Sequence, residues 1–212
     1  MNSNRGHFLM LGAVVLVLLS VQASNAKDDA ARERVIAEVT RLGGKVEFDE
    51  ILAAKPIVKI DLHSTQITND DLGFLERDRK ALANLRYLDL RLTKIGDAGV
   101  AKLKNLKSLQ TLNLFRSQLT DVGLTNLKKM TQLETLLIGG TKVSDVGLPS
   151  LRPLKKLKKL SLFQTQVSDQ GIAQLKLLTS LEVLLITGSK ITPAGAEALQ
   201  KALPKVRFSE NT

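Results

Sequence analysis

The chain has no cysteine and no tryptophan, and aromatic residues make up only 3% of it. Without cysteine, an exported fold cannot be stapled by disulfides. A thiol nucleophile and a thiolate metal site are excluded with it. Histidine is scarce too: His7 and His63 are the only two. No Gly-x-Ser-x-Gly elbow occurs, and no second metal ligand stands at a recognisable spacing from His63. No catalytic residue, metal or cofactor is therefore expected. Long apolar runs are also missing, apart from one of 14 residues, Phe8 to Val21. A membrane-spanning helix needs about 20 apolar residues, so this run is too short. It follows a polar start carrying Arg5 and precedes the small residues Ser24, Asn25 and Ala26. That order is the signature of a secretory signal. Cleavage is expected after Ala26, with a second possible cut after Ala23, leaving an exported chain with no stable membrane span. An exported chain without cysteine fits a bacterial envelope or a secreted bacterial protein.

What is abundant is leucine and positive charge. The net charge is +10, of which the leader carries only Arg5. Such a surplus favours acidic partners or anionic surfaces. Nucleic acid is not expected, because export removes the chain from it and few aromatics are available for base stacking. A core drawn from one aliphatic residue implies many equivalent sites, and hence repeats. Leu82, Leu106, Met130, Leu154 and Leu178 stand 24 residues apart. Between them the pattern holds in register, as in LKSLQTLNLFRSQLTDVGLTNLKK over 106–129. An earlier copy begins near Ala54 and carries four extra residues around Glu76 to Arg79. This makes six repeats over 54–204. Within a copy, the alternation around Leu109, Leu112 and Leu114 predicts a strand. Thr120, with Asp121 in the first turn, predicts a helix start. Ser144–Asp145 and Ser168–Asp169 repeat that cap, and Thr192 precedes a proline suited to a first helical position. The helices should be short, broken or tightened at Pro149 and Pro153.

Residues 27–53 are expected to form an N-terminal cap. Val35, Ile36, Val39 and Leu42 share one helical face, Gly43 and Gly44 end the helix, and a short strand follows over 45–48. Residues 205–212 are expected to close the other end.

The consensus LxxLxxLxLxxTxITDxGLxxL resembles the leucine-rich-repeat family. It is most similar to the cysteine-containing subclass known from F-box adaptor proteins, with Thr93, Ser117, Thr141, Thr165 and Ser189 where that subclass has cysteine. Among members of the family, secreted bacterial proteins are the closer likeness. The resemblance implies an α/β fold: a right-handed solenoid with a parallel β-sheet on the concave face and short helices on the convex face. It also implies a binding module rather than an enzyme.

If the strand leucines face inward, their neighbours face the concave surface. The early rungs then present Lys59, Asp61 and His63, followed by Tyr87, Asp89 and Arg91. Later rungs present Thr111, Asn113 and Phe115, then Thr135, Leu137 and Gly139, Lys159, Ser161 and Phe163, and Val183, Leu185 and Thr187. An Asp61–His63 pair can orient a general base, but it stands alone, and a solvated polar surface explains it. A second periodicity favours the apolar rungs. Residues 106–153 match 154–201 at 21 of 48 positions, which places Phe115 with Phe163 and Leu137 with Leu185. Tyr87, Asp89, Arg91, Phe115, Leu137, Phe163 and Leu185 are the candidate ligand-binding residues, with a protein as the expected partner. The alternative is an envelope-associated structural protein that holds an acidic polymer or anionic surface. It would use a basic edge of Lys104, Lys107, Lys128, Lys129, Arg152, Lys155, Lys156 and Lys158.

Overall fold

The computed structural model describes residues 27–209; the expected leader over 1–26 and the last three residues lie outside them. The described chain opens with helix α1 over 27–41. Its apolar stripe is buried at Val35 and Val39, with Ile36 and Leu42 packed beside them. Gly43 turns the chain at φ +80°, and the Gly44 amide closes back on the Val39 carbonyl. At Gly44 a side chain would fall 2.6 Å from the Asp61 carbonyl oxygen, so glycine lets the helix end approach the sheet.

Eight strands then form one sheet in sequence order. β1 (Lys45–Phe48) lies antiparallel to β2 (Ile57–Asp61). From β2 onward every pairing is parallel: β3 (Tyr87–Asp89), β4 (Thr111–Asn113), β5 (Thr135–Leu137), β6 (Lys159–Ser161), β7 (Val183–Leu185) and the two-residue β8 (Arg207–Phe208). The 24-residue period sets leucine opposite leucine along the interior face of the sheet. Leu88, Leu112, Leu136, Leu160 and Leu184 stand opposite one another and are all fully buried. No single copy can bury its leucines; stacking the copies builds one continuous interior.

The return path of each copy is a short helical turn. Asp97–Ala101 and Asp121–Leu124 are α-helical, Leu148–Leu151 is a 3-10 turn containing Pro149, and Pro193–Ala202 is the longest at 10 residues. Thr120, Ser144 and Ser168 each accept an amide two residues on, and Thr192 accepts from Gly195. The aspartate after each cap does more than complement a helix dipole, which is all its sequence context suggested. Asp121 reaches the next copy, where Oδ1 accepts from the Ser144 amide at 2.8 Å and Oδ2 from the Ser144 hydroxyl at 2.6 Å. Asp97, Asp145 and Asp169 do the same to Thr120, Ser168 and Thr192. The glycine of each copy makes room for the incoming carboxylate: a Cβ on Gly147 would lie 2.4 Å from Asp121 Oδ1. At the first junction the cap is Gly96, which has no hydroxyl, and Asn69 replaces the aspartate, taking the Gly96 and Gly99 amides at 2.9 and 3.0 Å.

The extra residues of the first copy have a role of their own. Asp78 is buried and accepts from Arg34 on α1 and from Arg77. Burial alone would raise its carboxyl pKa, but the two guanidinium groups prevail and hold it below the usual range.

Candidate functional site

The concave sheet carries three columns of side chains set by the parallel register. The first is Lys59, Tyr87, Thr111, Thr135, Lys159 and Val183; the second is Asp61, Asp89, Asn113, Leu137, Ser161 and Leu185. The third lies two residues beyond each strand's end: His63, Arg91, Phe115, Gly139, Phe163 and Thr187. These columns divide lengthwise into a polar half and an apolar half.

In the polar half the side chains satisfy one another. Asp61, Asp89 and Asn113 each accept the amide two residues on, from His63, Arg91 and Phe115. Asp61 also meets the His63 ring at 2.6 Å. Burial opposes its charge, yet the His63 amide and ring outweigh burial and keep its carboxyl low. Asp89, expected as a contact residue, is buried with its carboxylate already taken up by its neighbours. It takes the Tyr87 hydroxyl at 3.2 Å and the Asn113 amide at 3.3 Å, and Arg91 Nε lies 3.5 Å away. Its carboxylate is a support for Tyr87, Asn113 and Arg91. Tyr87 is half-buried beneath Lys59, whose Nζ lies 5.0 Å from the ring centre. Burial, followed by the Asp89 charge, raises the pKa of its phenol. Arg91 has 42% of its side chain in solvent, and its terminal nitrogens bond to nothing among the described residues.

In the apolar half Phe115, Leu137 and Phe163 are half-buried. Two strand spacings separate the phenylalanines, so a distance of about 10 Å is expected from backbone geometry. Their ring centres are instead 6.1 Å apart. The rings lean together because Gly139 lies between them with no side chain; a Cβ there would sit 3.0 Å from Phe163 Cβ and 3.1 Å from Phe115 Cδ2. Arg116 stacks over Phe115 at 5.2 Å. Leu185 is corrected more strongly. It was expected to be exposed but is 0% accessible, and it is not part of the interior cluster. Its neighbour in register is Ser161, the smallest residue of that column, and β8 closes the sheet beyond it. Leu185 is therefore packed on the concave side, out of a partner's reach.

A groove of about 260 Å³ crosses the strands between these halves, lined by His63, Arg91, Asn113, Phe115, Leu137 and Ser161. Sequence reasoning identified its aromatic and arginine walls but did not single out Asn113 or Ser161. Their shared column and neighbouring position were the available signal.

The basic edge is partly neutralised. Lys158 pairs with Glu134 at 2.8 Å and Lys104 lies 3.9 Å from Glu76, while Lys156 and Arg152 donate to the uncharged amides of Gln132 and Gln174 and keep their charge. Hydrogen bonding and charge from Glu134 raise the Lys158 pKa. Among the described residues no cluster of His, Asp or Glu is arranged to hold a metal ion, and no helix is long and apolar enough to cross a membrane.

Comparison with known proteins places this geometry. The Leucine Rich repeat family matches residues 81–104 and again 105–128. No curated protein matches the chain. Among solved structures, an internalin C2 (inlC2) from Listeria monocytogenes is 26% identical, with a TM-score of 0.50, over 72% of this chain and 71% of that one. An internalin (inlF) from the same organism is 18% identical, with a TM-score of 0.49, over 74% of this chain. The chain spans half the length of that second internalin. The fold is an α/β leucine-rich-repeat solenoid with a parallel sheet and short helices.

Proposed function

We propose that the chain is an exported recognition module that holds a protein partner on its concave face and catalyses no reaction. One observation carries this reading: Phe115 and Phe163 are only half-buried and converge over Gly139, away from the interior leucines. The leucines already fill the solenoid, so folding does not require these rings, and aromatics are favoured hot spots of interfaces. Leu137 and Arg91 extend the same surface; Tyr87 and Asp89 support it from below. The match to the Leucine Rich repeat family and the likeness to a bacterial internalin support a recognition role for the solenoid. The same reading holds that residues 1–26 are a cleaved signal, 27–53 and 205–212 are caps, and Thr or Ser takes the cysteine position of the subclass.

The test is capture of a partner from the producing organism with the chain beginning at Lys27, identification by mass spectrometry, and repetition with Phe115→Ala/Phe163→Ala. The double variant is expected to fold and to lose that partner; retention of the same partner overturns the concave assignment. N-terminal sequencing of the native protein is expected to start at Lys27, and an intact Met1 in a membrane fraction overturns export by cleavage. Capture is expected to survive raised salt. The alternative, acidic-polymer binding at the basic edge, predicts a steep loss with ionic strength, and the ion pairs of Lys104 with Glu76 and Lys158 with Glu134 weigh against it.

A further inference from the structure

The two halves of the groove differ in how completely their hydrogen-bonding groups are met. In rungs β2 to β4 the amide two residues after the strand is taken by Asp61, Asp89 or Asn113 on the concave side. In β5 and β6 that column holds Leu137 and Ser161, and the equivalent amides of Gly139 and Phe163 donate to nothing among the described residues. They occupy the positions whose amides, in the earlier rungs, meet a concave-side acceptor. Ser161 adds a third unmet group: the residue is 1% exposed and its Oγ has no partner. Ser117 Oγ is also unpartnered, but it lies in the interior column where Thr93, Thr141 and Thr165 donate to the carbonyl three residues back. A rotation gives it the same acceptor. Ser161 faces a groove instead. An unsatisfied buried polar group costs about 1–3 kcal/mol; Ser161 Oγ is such a group, and with the two amides beside it the groove offers three donors suited to oxygen acceptors.

Charge sets the other end. Arg91 presents free terminal nitrogens beside the groove, while both nearby carboxylates are occupied, Asp61 by His63 and Asp89 by Tyr87, Asn113 and Arg91 itself. Arg116 stands over Phe115 and adds a second cation. The groove's volume of about 260 Å³ falls just below the roughly 300–1,000 Å³ of small-molecule sites. It suits one or two side chains of a larger molecule.

We infer that the groove takes an extended acidic–apolar segment of the protein partner. A carboxylate side chain pairs with Arg91, an apolar side chain lies against Phe115 and Leu137, and main-chain carbonyl oxygens accept from the Gly139 and Phe163 amides and the Ser161 hydroxyl. This rests on the concave-face reading and adds the chemistry of what is bound there. The segment supplies acceptors where the chain has surplus donors and an anion where it has an unshared guanidinium edge. Charge-assisted pairing to arginine is the stronger class of hydrogen bond, so the acidic residue sets orientation and the apolar residue supplies contact area.

The test titrates the chain from Lys27 onward with acetyl-Glu-Gly-Phe-amide and with acetyl-Lys-Gly-Phe-amide, following backbone amide signals by NMR. The glutamate peptide is expected to shift the Gly139 and Phe163 amides and to bind about tenfold or more tightly than the lysine peptide. Arg91→Gln is expected to remove that preference. Ser161→Ala is expected to weaken binding while its melting temperature stays level or rises, because an unmet hydroxyl is removed. This last pairing separates a ligand contact from a structural role. Equal affinity for the two peptides, unmoved Gly139 and Phe163 amides, or shifts confined to Lys155, Lys156 and Lys158 would overturn the proposal. If the peptides fail while partner capture still depends on Phe115 and Phe163, the concave face stands and its acidic–apolar chemistry falls. If capture ignores those two residues, the broader reading fails first.

Discussion

At Gly147 one methyl group decides whether two copies can join. A Cβ there would stand 2.4 Å from Asp121 Oδ1, 2.8 Å from Leu124 Cδ1 and 3.2 Å from the Asp121 Cα, and the Asp121 carboxylate is itself held by Ser144. Gly147→Ala is expected to cost about 1–3 kcal/mol by overpacking, read by urea denaturation; an unchanged midpoint would mean that the carboxylate contact is dispensable. The opposite sign is expected at Gln164. Its φ of +51° is left-handed, a conformation that costs a side-chain-bearing residue about 1–2 kcal/mol. The equivalent corners Gly140 and Gly188 already use glycine at φ +67° and +72°. Gln164→Gly should gain about 0.5–1 kcal/mol after glycine's own entropy cost, and a lowered melting temperature would show that Gln164 is held by contacts worth more than its strain.

Between elements, the last rung of the aspartate ladder is sensitive to acid. The Thr192 hydroxyl, then its amide, holds Asp169 below its ordinary 3.8; within the first copy, the Thr68 amide and hydroxyl do the same for Asp71. The folded pKa is depressed, so the stabilisation is complete above the unfolded value and is lost as pH falls through the folded one. Melting temperature is therefore expected to be flat on these groups' account near neutrality and to fall below about pH 4. Asp169→Asn, which copies the natural Asn69 junction, is expected to start lower at pH 7 and to fall less on acidification. Parallel curves for the two proteins would remove this aspartate from the acid transition.

Across the whole molecule, stability passes from neighbour to neighbour. Leu160 is fully buried between Leu136 and Leu184, with β5 on one side and β7 on the other. Leu160→Ala is expected to cost about 2–5 kcal/mol. The two-residue β8 has a neighbour on one side only, among the described residues. Hydrogen exchange is expected to be slowest in β4 to β6 and fastest, among the strands, in β8, as nearest-neighbour coupling requires. Equal protection in β5 and β8 would show that the solenoid unfolds in one step.

The 24-residue period determined, without coordinates, that Leu112, Leu136, Leu160 and Leu184 face inward, because identical spacing puts identical residues at one point of successive turns. It therefore also determined the α/β solenoid and the membership of the concave columns. What the period left open depends on contacts made across copies. Asp121 and Ser144 lie 23 residues apart, and only stacking shows that their hydroxyl–carboxylate bond joins two rungs. Alternation places Leu185 and Leu137 on the same face, yet Leu185 is covered and Leu137 is not, because exposure depends on the size of the neighbours and on the end of the sheet. The convergence of Phe115 and Phe163 over Gly139 and the unmet hydroxyl of Ser161 arise likewise from side chains meeting between strands. A one-dimensional pattern fixes which face a residue occupies; packing decides what it touches there.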